Sequence, residues 1–136
     1  MELKNMGSSF NSLEKALIEA MKDNREIGHF YKELMKSNLL CIEVSGNEKS
    51  ADFYKRVRVM EKNQKIYLPA FSSNYPFEKM LKEERAAVIK FSDLLQEINE
   101  NTAILLNPDT PLSKLLIPEE LKMLKENKNL FNYFSS

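Results

Sequence analysis

Apolar positions recur along the first third of this chain with the period of a helix. Leu13, Ala16, Leu17, Ala20 and Met21 fall at i, i+3, i+4, i+7 and i+8, one face of an amphipathic helix. Asn11-Ser12-Leu13-Glu14 opens it as an N-cap followed three residues later by Glu. Ile27, Phe30, Tyr31, Leu34 and Met35 repeat the spacing behind Asp23-Asn24-Arg25-Glu26. This predicts a second helix ending near Ser37 and Asn38. Gly28 inside it costs about 1 kcal/mol relative to Ala.

Beyond Asn38 the period shortens. Residues 39–44 read as a strand with Leu40, Ile42 and Val44 on one face. Residues 54–60 alternate, Val57 and Val59 against Arg56 and Arg58, which predicts a strand with one wet face. Glu61-Lys62-Asn63-Gln64 is the expected hairpin turn into a strand at 65–71, shortened or bent by Pro69. Pro76 suits the first position of a short helix whose apolar side is Phe77, Met80 and Leu81. A strand at 86–91 follows, then a helix capped by Ser92 with Leu94, Leu95 and Ile98 inward. Residues 103–106 are four apolar residues that stop at Asn107-Pro108-Asp109, a strand at 102–107 buried on both faces. Pro118-Glu119-Glu120 starts a final helix.

These elements predict an α+β domain. Two N-terminal helices pack on a mixed sheet of about five strands, with helices between the later strands. Residues 1–10 are expected to be a flexible start, 11–126 the single domain, and 127–136 an apolar tail. Leu130, Phe131, Tyr133 and Phe134 would leave a large apolar surface in water if free, so the tail is expected to dock on its own domain or on a second copy as a homodimer.

Composition narrows the function classes. The 136 residues carry 20 Lys plus Arg and 20 Asp plus Glu, a net charge of zero, which argues against general nucleic-acid binding. One cysteine excludes an intrachain disulfide scaffold. The first ten residues lack a signal-peptide core, and no apolar run approaches the roughly 18 residues of a membrane span, so the expectation is a cytoplasmic protein without a membrane partner.

Three parts of the sequence, taken in order, resemble the N-terminal domain of the SseB family (enhanced serine sensitivity protein B). They are Asn11-Ser12-Leu13-Glu14 with Ala16-Leu17, Ala20, Phe30-Tyr31, Leu34 and Ser37, then Leu68-Pro69-Ala70-Phe71-Ser72-Ser73, then Leu105-Leu106-Asn107-Pro108 with Pro118-Glu119-Glu120-Leu121. Ser72 stands where Thr is more usual. The likeness spans about residues 11–124. It implies an α+β domain whose biochemical role is poorly defined, and it brings no catalytic residue set. Longer members of the family add a second domain, and the likeness here does not extend to it.

Candidate chemistry is sparse. His29 lies about 200° round the helix from Ile27, opposite the apolar face, and is expected to be exposed. Cys41 sits between apolar neighbours and is expected to be a small buried hydrophobe. With one His and one Cys, neither a His-based triad nor a multi-His zinc site is available. Lys55, Arg56, Arg58, Lys62 and Lys65, with Tyr54 and Tyr67 between them, read as a solvated strand face rather than a nucleic-acid platform. No Gly-rich phosphate loop is present. No catalytic residue, metal or cofactor is expected.

One surface stands out. If the strands at 65–71, 86–91 and 102–107 run parallel, their carboxyl ends gather Ser72-Ser73, Ser92-Asp93 and Asn107-Pro108-Asp109-Thr110 on one edge, where open α/β sheets bind ligands. The candidate binding surface is therefore Phe71, Ser72, Ser73, Ser92, Asn107, Pro108 and Asp109. The same polar residues also read as ordinary helix caps and strand stops. The function expected is a non-enzymatic protein-interaction or binding module with an unknown protein partner. The alternative is a small-ligand or enzymatic domain with a polar site on this edge.

Overall fold

The computed structural model describes residues 10–81 and 83–126. The expectations for the start of the chain before Phe10 and for the tail at 127–136 lie outside them. Within them the chain is an α+β domain of six helices and six strands.

The N-terminal helices form as the periodicity requires. Helix α1 (Ser12–Lys22) has a complete capping box: the Asn11 side chain accepts from the Glu14 N–H at 2.8 Å, and Glu14 accepts from the Asn11 N–H at 2.9 Å. Helix α2 (Ile27–Lys36) follows a single 3-10 turn, Asn24–Glu26, capped by the Asp23 carboxylate. The two pack together through Leu13, Ala16, Leu17, Phe30, Tyr31 and Leu34, each at most 5% exposed. Burial of a Leu or Phe side chain contributes about 1.5–3 kcal/mol.

Two sheets meet at a two-hydrogen-bond bridge. Strand β1 (Asn38–Ile42) pairs antiparallel with β4 (Ala86–Lys90). The second sheet has the order β2 (Met60–Lys62), β3 (Lys65–Ala70), β5 (Thr102–Leu106), β6 (Lys114–Leu116). Within it β3 and β5 are parallel, and the other two pairs antiparallel. Leu40 and Phe71 exchange both backbone hydrogen bonds, 2.9 and 2.8 Å, and so join β1 antiparallel to the end of β3. Pro69 fits because its nitrogen faces the gap between β2, which pairs as far as Tyr67, and β1, which begins at Phe71. Asn63 and Gln64, at φ 51° and 67°, form the two-residue hairpin turn between β2 and β3.

The structure corrects the sequence-based expectation in several places. Glu61 and Lys62, expected in the hairpin turn, pair with Ile66 and Lys65 as part of β2. The six strands form two bridged sheets rather than one sheet of about five. The sequence left the strand order open: β4 does not adjoin β3 or β5, because both edges of β5 are taken by β3 and β6, and the outer edge of β3 by β2 and Leu40. Residues 54–60 are not one strand. Asp52 accepts from the Tyr54 N–H at 3.0 Å and nucleates a short helix, α3 (Phe53–Arg56), leaving Val57 in a single bridge to Glu43. Finally, α5 (Phe91–Glu97) begins at Phe91 with no side-chain cap, so Ser92 lies inside its first turn instead of capping it.

The main core lies where α1, α2 and α5 cover the sheet, with Leu39, Cys41, Leu68, Phe91, Leu94, Ile104 and Leu106 all fully buried. A smaller cluster, Leu40, Ile42, Phe71 and Phe77, lies under α4 (Asn74–Met80). The helix α6 (Pro118–Glu126) adds Leu121 and Leu124 to the main core.

Candidate functional site

The carboxyl ends of the parallel pair β3 and β5 bring Ser72 and Asn107 together. Register places Ala70 opposite Leu106, and the Asn107 N–H donates to the Ala70 carbonyl at 2.7 Å, so the next residues of both strands meet. Asn107 takes φ 50°, a left-handed conformation that Asn adopts more readily than most residues. Its side chain is thereby turned back into the protein, and the residue is fully buried.

A closed polar network results. Asn107 Oδ1 accepts from the Ser72 N–H at 2.9 Å, and Asn107 Nδ2 donates to Ser72 Oγ at 2.9 Å. Ser72 Oγ in turn donates to Glu14 Oε2 at 2.5 Å, and Ser73 Oγ donates to the same oxygen at 2.8 Å. Glu14 Oε1 accepts the Asn11 N–H of the capping box, while Asn11 Nδ2 donates to the Ser72 carbonyl at 2.9 Å. Glu14 is 3% exposed. A buried carboxylate is costly unless its lone pairs are used, and three donors meet those of Glu14. The network links the start of α1 to the ends of two strands.

The other candidates scatter. Phe71 is 1% exposed and packs edge-on against Phe77, ring centroids 5.2 Å apart. Pro108 is half-buried, and Asp109 is exposed at φ 60° in the turn that follows. Because β4 is antiparallel to β1, and β1 to β3, β4 runs in the same sense as β3 and β5. Half-buried Ser92, in the first turn of α5, therefore lies on the same side of the sheet, separated from Ser72 by β1, and makes no side-chain hydrogen bond to the network among the described residues.

The reactive residue types are set apart from this network. His29 is exposed on α2. Cys41 is fully buried in β1, and burial pushes its thiol up to about 12, which keeps it protonated and unreactive at neutral pH. Tyr54, expected on a solvated strand face, instead bonds internally: its hydroxyl lies 2.7 Å from Thr102 Oγ1 and accepts the Asn99 N–H at 2.7 Å. Among the described residues no cluster of His, Cys, Asp and Glu is placed to hold a metal, and no helix is long and apolar enough to cross a membrane.

Glu14 and its cap partner Asn11 are the participants that sequence reasoning left out of the surface, and Glu14 is the buried one. The capping box identified it as an N3 residue, and its position about 60° round from Leu17 put it beside the apolar face. Nothing local signals partners 58 and 59 residues away.

Comparison with protein families matches the SseB protein N-terminal domain over residues 13–123. No curated protein and no solved structure matched the chain. The matched range runs from the first turn of α1 to within α6 and contains both strands and the Glu14–Ser72–Asn107 network, so the chain belongs to the SseB family through its N-terminal domain.

Proposed function

We propose that this chain is a non-enzymatic protein-interaction module. The observation that carries this reading is the internal use of its polar groups. Glu14, Ser72 and Asn107, the buried polar residues at the shared edge of β3 and β5, spend their hydrogen-bonding capacity on one another and on nearby backbone. A catalytic group must meet substrate, and these groups are turned away from solvent. The alternative, a small ligand held at this edge by Ser73, Pro108 and Asp109, would have to bind beside a network that is already satisfied.

The partner is a protein, met in the cytoplasm. A single buried thiol suits a reducing compartment. The apolar residues at 130–134 supply a second contact, on this domain or on another copy of the chain.

Cross-linking in cells with the chain as bait, followed by identification of the cross-linked peptides, tests the reading. A defined protein partner linked at surface lysines is the expected result. A chain that cross-links to nothing, yet retains a metabolite through purification, would replace it with the small-ligand reading.

A further inference from the structure

We propose that the free edge of β4 receives an extended segment of a protein partner in which basic and apolar residues alternate. This rests on the reading of the chain as an interaction module and names the surface that such a module would use.

Backbone geometry supplies the first part. The Glu43 N–H donates to Arg85 O and the Phe91 N–H to Ser37 O, which fixes the odd-numbered residues of β4 as those bonded to β1. The N–H and C=O groups of Ala86 and Val88 and the N–H of Lys90 point the other way, the Lys90 carbonyl being the N-cap acceptor of α5. Among the described residues β4 pairs with β1 alone, so these groups form an open template for a further strand. The edge is not blunted by its central side chain: Val88 is 65% exposed, the highest value among the described large apolar residues.

The second part decides the occupant. On the opposite face of β4, Ala87 and Ile89 join Phe53 and Val57 in the apolar floor of a pocket of about 300 Å³. Its rim carries Glu43, Glu48, Asp93 and Glu97 against a single cation, Arg56. Arg56 is already engaged, 3.6 Å from Glu97 and over the Phe53 ring. The pocket therefore holds a net of three negative charges beside a strand edge. A strand added to β4 sends alternate side chains to opposite faces. Those on the pocket side meet an apolar floor and an acidic rim, which fits the long stem and charged head of Lys or Arg. Those on the other side meet Val88, which fits Val, Ile or Leu.

The test is selection from a phage-displayed 12-residue peptide library on the full chain, followed by fluorescence anisotropy with the enriched peptide. Enrichment of alternating basic and apolar residues is expected, with amide NMR shifts centred on Ala86, Val88 and Lys90. Val88→Pro removes an outward-facing N–H together with the exposed Val side chain, a change that an edge strand tolerates, and should weaken binding at least tenfold with an unchanged melting curve. Exposed Asp93→Lys should weaken it by a similar factor without touching the backbone. An enriched peptide that is acidic or uncharged, or binding indifferent to both substitutions, overturns the proposal. A dimer abolished by Val88→Pro would assign the edge to a second copy and overturns it too. A cellular partner captured equally by the wild type and Val88→Pro overturns the β4 edge alone and leaves the module reading standing.

Discussion

Asn107 and Ser72 exchange two hydrogen bonds, Ser72 N–H to Asn107 Oδ1 and Asn107 Nδ2 to Ser72 Oγ, each at 2.9 Å. The pair closes the carboxyl ends of the parallel strands, and Ser72 passes the connection on to Glu14 of α1. Because Asn107, Ser72 and Glu14 are each at most 5% exposed, removing one strands the others without water to replace it.

Asn107→Ala should therefore destabilise the fold by about 2–4 kcal/mol, from unsatisfied Ser72 groups plus the strain of Ala at φ 50°. Asn107→Gly loses the same bonds but tolerates the backbone, and should recover about 1 kcal/mol of that loss. Urea denaturation of both variants measures the difference.

Glu14→Ala removes the acceptor of Ser72 Oγ, Ser73 Oγ and the Asn11 N–H together. A loss of about 2–4 kcal/mol is expected, well above the roughly 1 kcal/mol of an exposed cap. A loss near 1 kcal/mol in chemical denaturation would mean that only the cap matters.

Stability should fall in alkali. Burial raises the Cys41 thiol from 9.0 to about 12, and burial together with its bond to Glu120 raises the Tyr31 phenol as well. Between the unfolded and folded values the native state holds protons that the unfolded chain has released, so stability is full below about 9 and declines as pH rises through the folded values. Denaturation midpoints from pH 7 to 11 should drop above pH 9. Cys41→Ala, whatever its constant cost from lost packing, should show a shallower decline.

The tail supports a further expectation. Deleting residues 129–136 should lower the melting temperature or change the oligomer size in analytical ultracentrifugation, since it removes Leu130, Phe131, Tyr133 and Phe134. No change in either would show that these residues dock on nothing.

Elements with strong local signals were legible in the sequence. The capping box and apolar stripe of α1 and the buried run at 103–106 each carry their own pattern, and each forms where expected. Residues 54–60 misled because Val57 and Val59 alternate like a strand, while the decisive Asp52 cap is a turn earlier. The strand β6 was missed altogether, as three residues between turns leave no period to read. The place of β4 was illegible for a different reason: strand order depends on which edges are already taken, and that is settled by the hairpin and β6 together. At the candidate site, Ser72 and Asn107 were visible as residues at strand ends. Their pairing follows from β3–β5 register, and the inward turn of Asn107 from its φ of 50°, neither of which the sequence states.

The most direct measurement is native mass spectrometry of the chain purified gently from its own cells. If the polar edge is an internal latch of an interaction module, the small-molecule region of the spectrum should be empty, with the chain seen at its bare mass or bound to another protein. A stoichiometric metabolite adduct that disappears in the half-buried Ser73→Ala variant, its fold intact, would contradict that account and make the edge a ligand site.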